Sequence, residues 1–401
     1  MPLNNHDVMT LLAQPLDLPC GVQLKNRLIK SAMSDSLGDG AGNPTEAQIR
    51  LYERWAEGGA ALSVIGEAQI TPHYPEKPGN LVLVPDADLN ALQKLAQRGS
   101  ANNAHIWPQL GHAGALAHGP ISTPKGPSPL DIKHLNCKGM SLVEIHDLPQ
   151  TYAQAATLAQ QTGFGGVMIH AAHGFLLSQF LSPLFNHRTD QYGGKTEGRF
   201  RIIQEVISAV RQAVGPSYPI GIKINSTDKL KGGLTADDAL KVIRLLDATS
   251  VDIIDISGGT YFPGATSSSD GTSSSGPYFI EFAKQAKDRT SIPVILTGGF
   301  ETRVQALSTL QNGYADAISL ARAMVLDPSI ANVWLSDAGG DPGFPTFDAP
   351  PRGGVTAWYS MRLTALGEDR EDQFESSPAD ALKAYDLRDA ERCEIWRNRF
   401  S

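Results

Sequence analysis

Gly166-Val167-Met168-Ile169-His170-Ala171-Ala172-His173-Gly174-Phe175 is a short apolar run that opens into two histidines three residues apart. A short buried strand ending in polar residues is how a parallel-sheet enzyme delivers functional groups to one rim of its fold. Beyond it a long segment runs to Asn186-His187-Arg188-Thr189-Asp190-Gln191-Tyr192-Gly193-Gly194. The flanking patterns are helical, over 149–162 before the run and 196–214 after it.

Working outward, the same alternation continues in both directions. Toward the C-terminus, strands at 219–225, 251–256, 292–297 and 315–320 alternate with helices at 235–247, 277–288, 301–311 and one from Pro328. Toward the N-terminus, Leu24 to Ser34 reads as a strand entering small and hydroxyl residues, and strands 60–65 and 104–110 follow. Thr45 is expected to cap a helix through Trp55, and Asp86 one through Gly99. Residues 115–147 are rich in Pro, Gly and Ser, too long for an ordinary connection, and read as a lid or binding segment. Eight strand–helix units predict a closed (β/α)₈ TIM barrel over residues 1–337. A doubly wound open sheet is the weaker alternative, because no strand is followed by Gly-x-Gly-x-x-Gly. Residues 338–401 break the pattern. They are expected to form a C-terminal extension that packs on the barrel or at the subunit interface of a homo-oligomer.

The chain of 401 residues carries a formal net charge of −8, which argues against nucleic acid or an anionic membrane surface as a partner. It has no apolar run of about eighteen residues, and Met1 to Thr10 lacks the form of a signal peptide. Cys20, Cys137 and Cys393 are too scattered for a local zinc or iron–sulfur site or a disulfide framework. A reducing, cytoplasmic setting is the expectation. The pair His170 and His173 has metal-ligand spacing, but no third ligand stands close in sequence, so no metal is expected.

In such a barrel the strands' carboxyl ends hold the active site. Those ends present Ser31, Ala32, Met33 and Ser34; Gly66-Glu67-Ala68; Gln109 and His112; His170 and His173; and Lys223 and Asn225. The remaining three present Ser257-Gly258-Gly259, Thr297-Gly298-Gly299 and Leu320-Ala321-Arg322. Glycines after the last strands let backbone approach an anion, and Arg322 adds a charge-assisted pair, so this end suggests a phosphate site.

Together these residues resemble the Old Yellow Enzyme family of FMN-dependent barrels. The resemblance runs over roughly 10–335. It is carried by Leu24-Lys25-Asn26-Arg27 with Ser31-Ala32-Met33, by Gln109-x-x-His112-Ala113-Gly114, and by His170-Ala171-Ala172-His173-Gly174. Leu181-Ser182-Pro183, the block ending at Gly194, Thr297-Gly298-Gly299 and Ala321-Arg322 continue it. The resemblance implies tightly bound, non-covalent FMN, with NADH or NADPH as reductant and a small activated alkene such as an enone or enal as substrate. Ser31, Ala32, Met33 and Ser34 are expected along the flavin, with the Ala68 backbone and Gln109 at its pyrimidine end. Lys223, in place of a family Arg, would sit beside the N1–C2 oxygen region, and Gly298, Gly299, Ala321 and Arg322 at the phosphate. His170 and His173 would hold the substrate carbonyl.

One position departs from the pattern in a way that bears on the chemistry. The family usually has a proton-donating Tyr two residues after the second His, and here that substrate-facing residue is Phe175. Tyr74, Tyr261 and Tyr359 are replacements by residue type. Altered chemistry (isomerase, dehydrogenase or oxidase) and a non-redox ligand-binding barrel stay open as alternatives. Glu197-Gly198-Arg199 also departs from the family's Glu-Asn-Arg. The run Ser267 to Ser275 reads as a loop at the barrel mouth.

Overall fold

The computed structural model describes residues 11–265, 276–336 and 340–401. Eight parallel strands form the sheet: β1 (Leu28–Lys30), β2 (Leu62–Gln69), β3 (His105–Gly111), β4 (Val167–Ala171), β5 (Ile220–Asn225), β6 (Ile253–Ser257), β7 (Val294–Thr297) and β8 (Ala317–Leu320). Each pairs with the next, and β1 pairs with both β2 and β8, so the sheet closes on itself as a (β/α)₈ barrel. A two-residue strand, Leu81–Val82, adds to the outer side of β2. Seven principal helices face the barrel: α1 (Glu46–Glu57), α2 (Leu89–Gly99), α3 (Leu142–Gln161), α4 (Thr196–Val214), α5 (Ala236–Leu246), α6 (Ile280–Lys287) and α7 (Arg303–Gln311).

The two-residue period of a strand explains how the barrel interior divides. Ile29, Trp107, Met168, Ile253, Ile295 and Ala317 point inward at the lower level and form a dry plug, closed from below by Leu16, Leu18 and Leu24. Gly221 belongs to that level because a Cβ there would lie 2.8 Å from the Met168 side chain. Two residues further along each strand the inward positions turn polar. Register sets His170, Lys223 and Asp255 side by side at that upper level. The alternate residues, among them Ile106, Ile169, Ile222, Ile254, Leu296 and Ile318, pack outward under the helices. The strands are buried on both faces and therefore read as unbroken apolar runs.

Local signals account for most helix boundaries and for two shifts. Thr45 caps α1 by accepting from the Gln48 amide. For α2 the cap is Asp88, which accepts from the Ala91 amide, where Asp86 was expected. Helix α3 begins at Leu142, seven residues before the expected start, and runs through Pro149. Its capping box, Ser141 with Glu144, supplies the nucleus upstream of the proline. The long 115–147 segment also carries a small sheet, Lys125–Gly126, Leu130–Ile132 and Leu135–Gly139.

The expected barrel–extension boundary at 337/338 lies outside the described residues, as does Ser267 to Ser275. Beyond it, α8 (Gly354–Gly367) lies on α1, with Gly367 so close that a Cβ would meet the Ala47 carbonyl at 2.3 Å. The final helix, α9 (Pro378–Phe400), crosses the barrel rim. Lys77 and Asp389 pair at 3.2 Å, Trp396 Nε1 donates to the Pro72 carbonyl at 3.2 Å, and Arg392 donates to the Ser36 carbonyl. Within this chain the extension thus roofs part of its own barrel mouth. Among the described residues no helix is long and apolar enough to cross a membrane.

Candidate active site

A cavity of about 710 Å³ opens at the carboxyl ends of the strands. Ser31, Ala32, Met33 and Ser34, leaving β1, and Gln109 and Lys223 line one part of it. Gly298, Gly299, Ala321 and Arg322, leaving β7 and β8, line another. His173 and Phe175 complete the wall.

Gly298 and Gly299 have φ of 104° and 80°, a region in which glycine is unstrained. A Cβ on Gly299 would lie 2.2 Å from the Gly276 carbonyl, so no larger residue brings the backbone this close. Arg322 donates to the Tyr278 hydroxyl at 3.3 Å and lies over the Tyr359 ring at 5.8 Å. No carboxylate pairs with it among the described residues, so a fixed positive charge faces the cavity. This end suits an anionic group.

The polar layer near β5 is a chain of buried contacts. Lys223 Nζ donates to Asp255 at 2.6 Å and approaches the Ser31 hydroxyl at 3.5 Å. The Thr297 hydroxyl donates to the other Asp255 oxygen at 2.6 Å. Gln109 Nε2 donates to the Gly66 carbonyl at 2.6 Å, while its Oε1 is buried with no partner. An orphaned buried acceptor on a cavity wall fits a ligand that brings an N–H group. Ala68 is not on this wall. A register shift between Ile65 and Ala68 turns Gly66 and Glu67 toward the cavity, and Ala68 is fully buried in ladder pairing with Leu81 and Leu110.

The two histidines separate. His173 lies on the wall, with φ of 61°, its amide donating to Asn225 at 3.0 Å and its Nε2 meeting the Ser257 hydroxyl at 2.9 Å. His170 sits behind it, fully buried. Its Nδ1 accepts from the Ala172 amide at 3.3 Å, and its Nε2 faces Glu67 at 3.5 Å without a hydrogen bond. Of the two imidazoles expected to hold a substrate carbonyl, His173 lines the cavity, and His170 stands behind it with Glu67 before its Nε2. Burial, reinforced by Lys223, pushes His170 down to about 3. Burial, then His170 and Lys223, lowers His173 well below its ordinary value. Both are neutral rings near pH 7, each with one N–H to donate and one nitrogen to accept.

Phe175 is held in the wall against His170, ring centroids 5.0 Å apart, and against Tyr261 at 5.9 Å. Tyr261 lines the cavity on this side. Tyr359 lines it at the Arg322 end, and Tyr74 is stacked on His112 at 4.4 Å, away from the main wall.

Several wall residues have no counterpart in the sequence reading. Glu76 and Lys77 come from the loop after β2, and Arg352, Tyr385 and Asp386 from the extension. Asp255 was open to discovery, since a carboxylate at an inward position of Ile253–Ser257 needs a buried cation and the register supplies Lys223. Arg352, Tyr385 and Asp386 gave no signal, because no period or motif ties 338–401 to the rim.

The sequence matches the NADH:flavin oxidoreductase / NADH oxidase family over residues 12–333. It is 33% identical over 347 residues to the NADH-dependent flavin oxidoreductase iliE of Hypocrea jecorina (strain QM6a), covering 78% of this chain and 86% of that protein. An NADPH dehydrogenase of Bacillus pumilus (strain SAFR-032) is 32% identical over 311 residues, 77% of this chain and 89% of that one. The chain spans about half of some longer relatives, as with the metal reductase of Desulforamulus reducens (strain ATCC BAA-1160 / DSM 100696 / MI-1). That protein is 34% identical over 335 residues, 82% of this chain and 49% of its own length. Among solved structures, morphinone reductase superposes with a TM-score of 0.70 at 24% identity, covering 83% of this chain and 91% of that one, a likeness of fold.

Proposed function

The chain belongs to the NADH:flavin oxidoreductase / NADH oxidase family and is an NAD(P)H:flavin oxidoreductase. From that premise we propose that it carries FMN in the strand-end cavity and reduces an activated alkene of the enone or enal type. The observation that carries the reading is one continuous cavity, with a cationic glycine-lined end and a polar end of donors and an orphaned acceptor.

FMN, when bound, accepts a hydride from NADH or NADPH and passes it on. The residues present fit it. Gly298, Gly299, Ala321 and Arg322 would hold the phosphate, and Ser31 to Ser34 would border the ring system. Gln109 and the Gly66–Glu67 backbone, in place of Ala68, would meet its pyrimidine edge. Lys223 puts positive charge where a reduced, anionic ring would need it, and Asp255 keeps that ammonium aimed.

His173 is the wall residue that would hydrogen-bond the substrate carbonyl. Its Nδ1 has no partner among the described residues, and Ser257 fixes the ring from the other side. His170 acts behind it as a positioning residue, in edge contact with His173 at 5.2 Å and Phe175 at 5.0 Å. Phe175 excludes water from the same face and supplies no proton. That is the specific ground for a second reading, in which the loaded protein turns over with O₂ or isomerises its substrate. Stopped-flow reoxidation of the reduced holoenzyme by an enone and by O₂ separates the two. We expect the enone to be faster. An enone rate no higher than the O₂ rate would favour the second reading.

A further inference from the structure

Adding a hydride to one carbon of an alkene leaves an electron pair on the neighbouring carbon, and that carbon must gain a proton. Phe175 has none to give. The neutral imidazole of His173 is a hydrogen-bond donor of low acidity, and the Glu67 carboxyl faces His170. Tyr261 and Glu76 are the other acids on this part of the wall, and of the two Glu76, half-buried in the loop after β2, is the one held by hydrogen bonds from neighbouring side chains.

Its geometry is specific. Oε2 accepts from the Ser34 hydroxyl at 3.0 Å and the Asn80 side-chain amide at 3.3 Å. The Glu76 amide in turn donates to Asn80 Oδ1 at 3.0 Å, which fixes the carboxyl from both ends. Oε1 has no hydrogen-bond partner among the described residues. Glu67 from β2, Lys77 beside it, Tyr261 after β6, and Tyr385 of α9 are the ionisable groups around it, with Asp389 neutralising Lys77. Burial, with Glu67 adding repulsion, raises the carboxyl to about 7, so an appreciable fraction carries a proton at neutral pH.

We propose that Glu76, held by Ser34 and Asn80, is the proton donor of the alkene half-reaction, standing in for the acid that Phe175 lacks. The inference rests on the alkene-reduction reading above. In the step, a C–H bond forms at the carbon bearing the electron pair while the Glu76 O–H bond breaks. The carboxylate left behind regains its proton from water at the cavity mouth, and the hydride on the other carbon derives from NAD(P)H.

The test is Glu76→Gln, which keeps the shape and the contacts to Ser34 and Asn80 but has no acidic proton. Turnover is measured with an enone and with a quinone, whose product oxygens exchange protons with water directly. The ratio of enone to quinone turnover should fall about 100-fold, the lower range for a positioned general acid, and Glu76→Asp should recover part of it. Independently of bound flavin, pH-difference infrared spectra of the apoprotein should show a carboxylic acid titrating near neutrality that E76Q lacks. An unchanged ratio in E76Q, or an unchanged infrared titration, overturns the proposal. A parent protein that reduces quinone and no alkene overturns it together with the reading beneath it, and so is told apart from failure at Glu76 alone.

Discussion

At the Gly298–Arg322 end of the cavity the functional groups are backbone at φ of 104° and 80° and a planar guanidinium. At the Phe175 end they are two imidazoles, two carboxyls and a phenyl ring, and the pH response depends on how each is packed. On the proposed reading the first end would hold a ligand through shape and charge. The second would control a proton, and its groups are moved from their ordinary ranges mainly by burial, since a low-dielectric wall penalises every charged form. Lys223 and Asp255 lie between the two as a fully buried ion pair at 2.6 Å.

The largest expected effect comes from breaking that middle layer. Lys223→Met leaves Asp255 buried without its cation, which should cost about 3–5 kcal/mol of stability. Chemical denaturation of the apoprotein measures it, and Lys223→Met with Asp255→Leu should recover most of the loss. Next is the fixed-charge end. Arg322→Ala should weaken FMN binding roughly 10- to 100-fold, as expected for a charged hydrogen bond, and leave riboflavin binding nearly unchanged. Equal losses for both ligands would mean that Arg322 acts on the fold and not on a phosphate.

At the other end the effect is smaller if an acid is already in place. Phe175→Tyr should raise enone turnover by less than about tenfold in the parent and by more in the E76Q background. Solvent-derived deuterium in the product reports the same transfer. A large gain in the parent would mean that the site lacks a donor.

The smallest effect concerns stability against pH. Burial holds His112 and His170 at about 3, against the ordinary 6.5. As pH falls the unfolded chain takes up protons first, so the stability these two contribute is full above about 6.5 and is lost progressively toward 3. The urea midpoint at pH ~5 should lie below that at pH ~7 with the m-value unchanged.

The same contrast explains what could be read from the chain. The barrel was legible because strands buried on both faces are unbroken apolar runs, and the anion end because backbone approach demands glycine at Gly298 and Gly299. The contacts that distinguish His173 from His170 were not legible. They depend on a bulge in β2 that turns Glu67 inward and moves Ala68 out of reach, and nothing in Leu62–Gln69 announces it. Glu76 and the roof formed by α9 were hidden for a related reason, since tertiary contacts from distant segments bring them to the rim. Asp255 is an intermediate case, open to a strict two-residue count along β6.

Titration of the apoprotein with FMN and with riboflavin, followed by flavin fluorescence, tests the central claim most directly. We expect one FMN per chain, bound at least about tenfold more tightly than riboflavin because only FMN engages the glycine and Arg322 end. No binding of FMN, or equal affinity for the two, would contradict it.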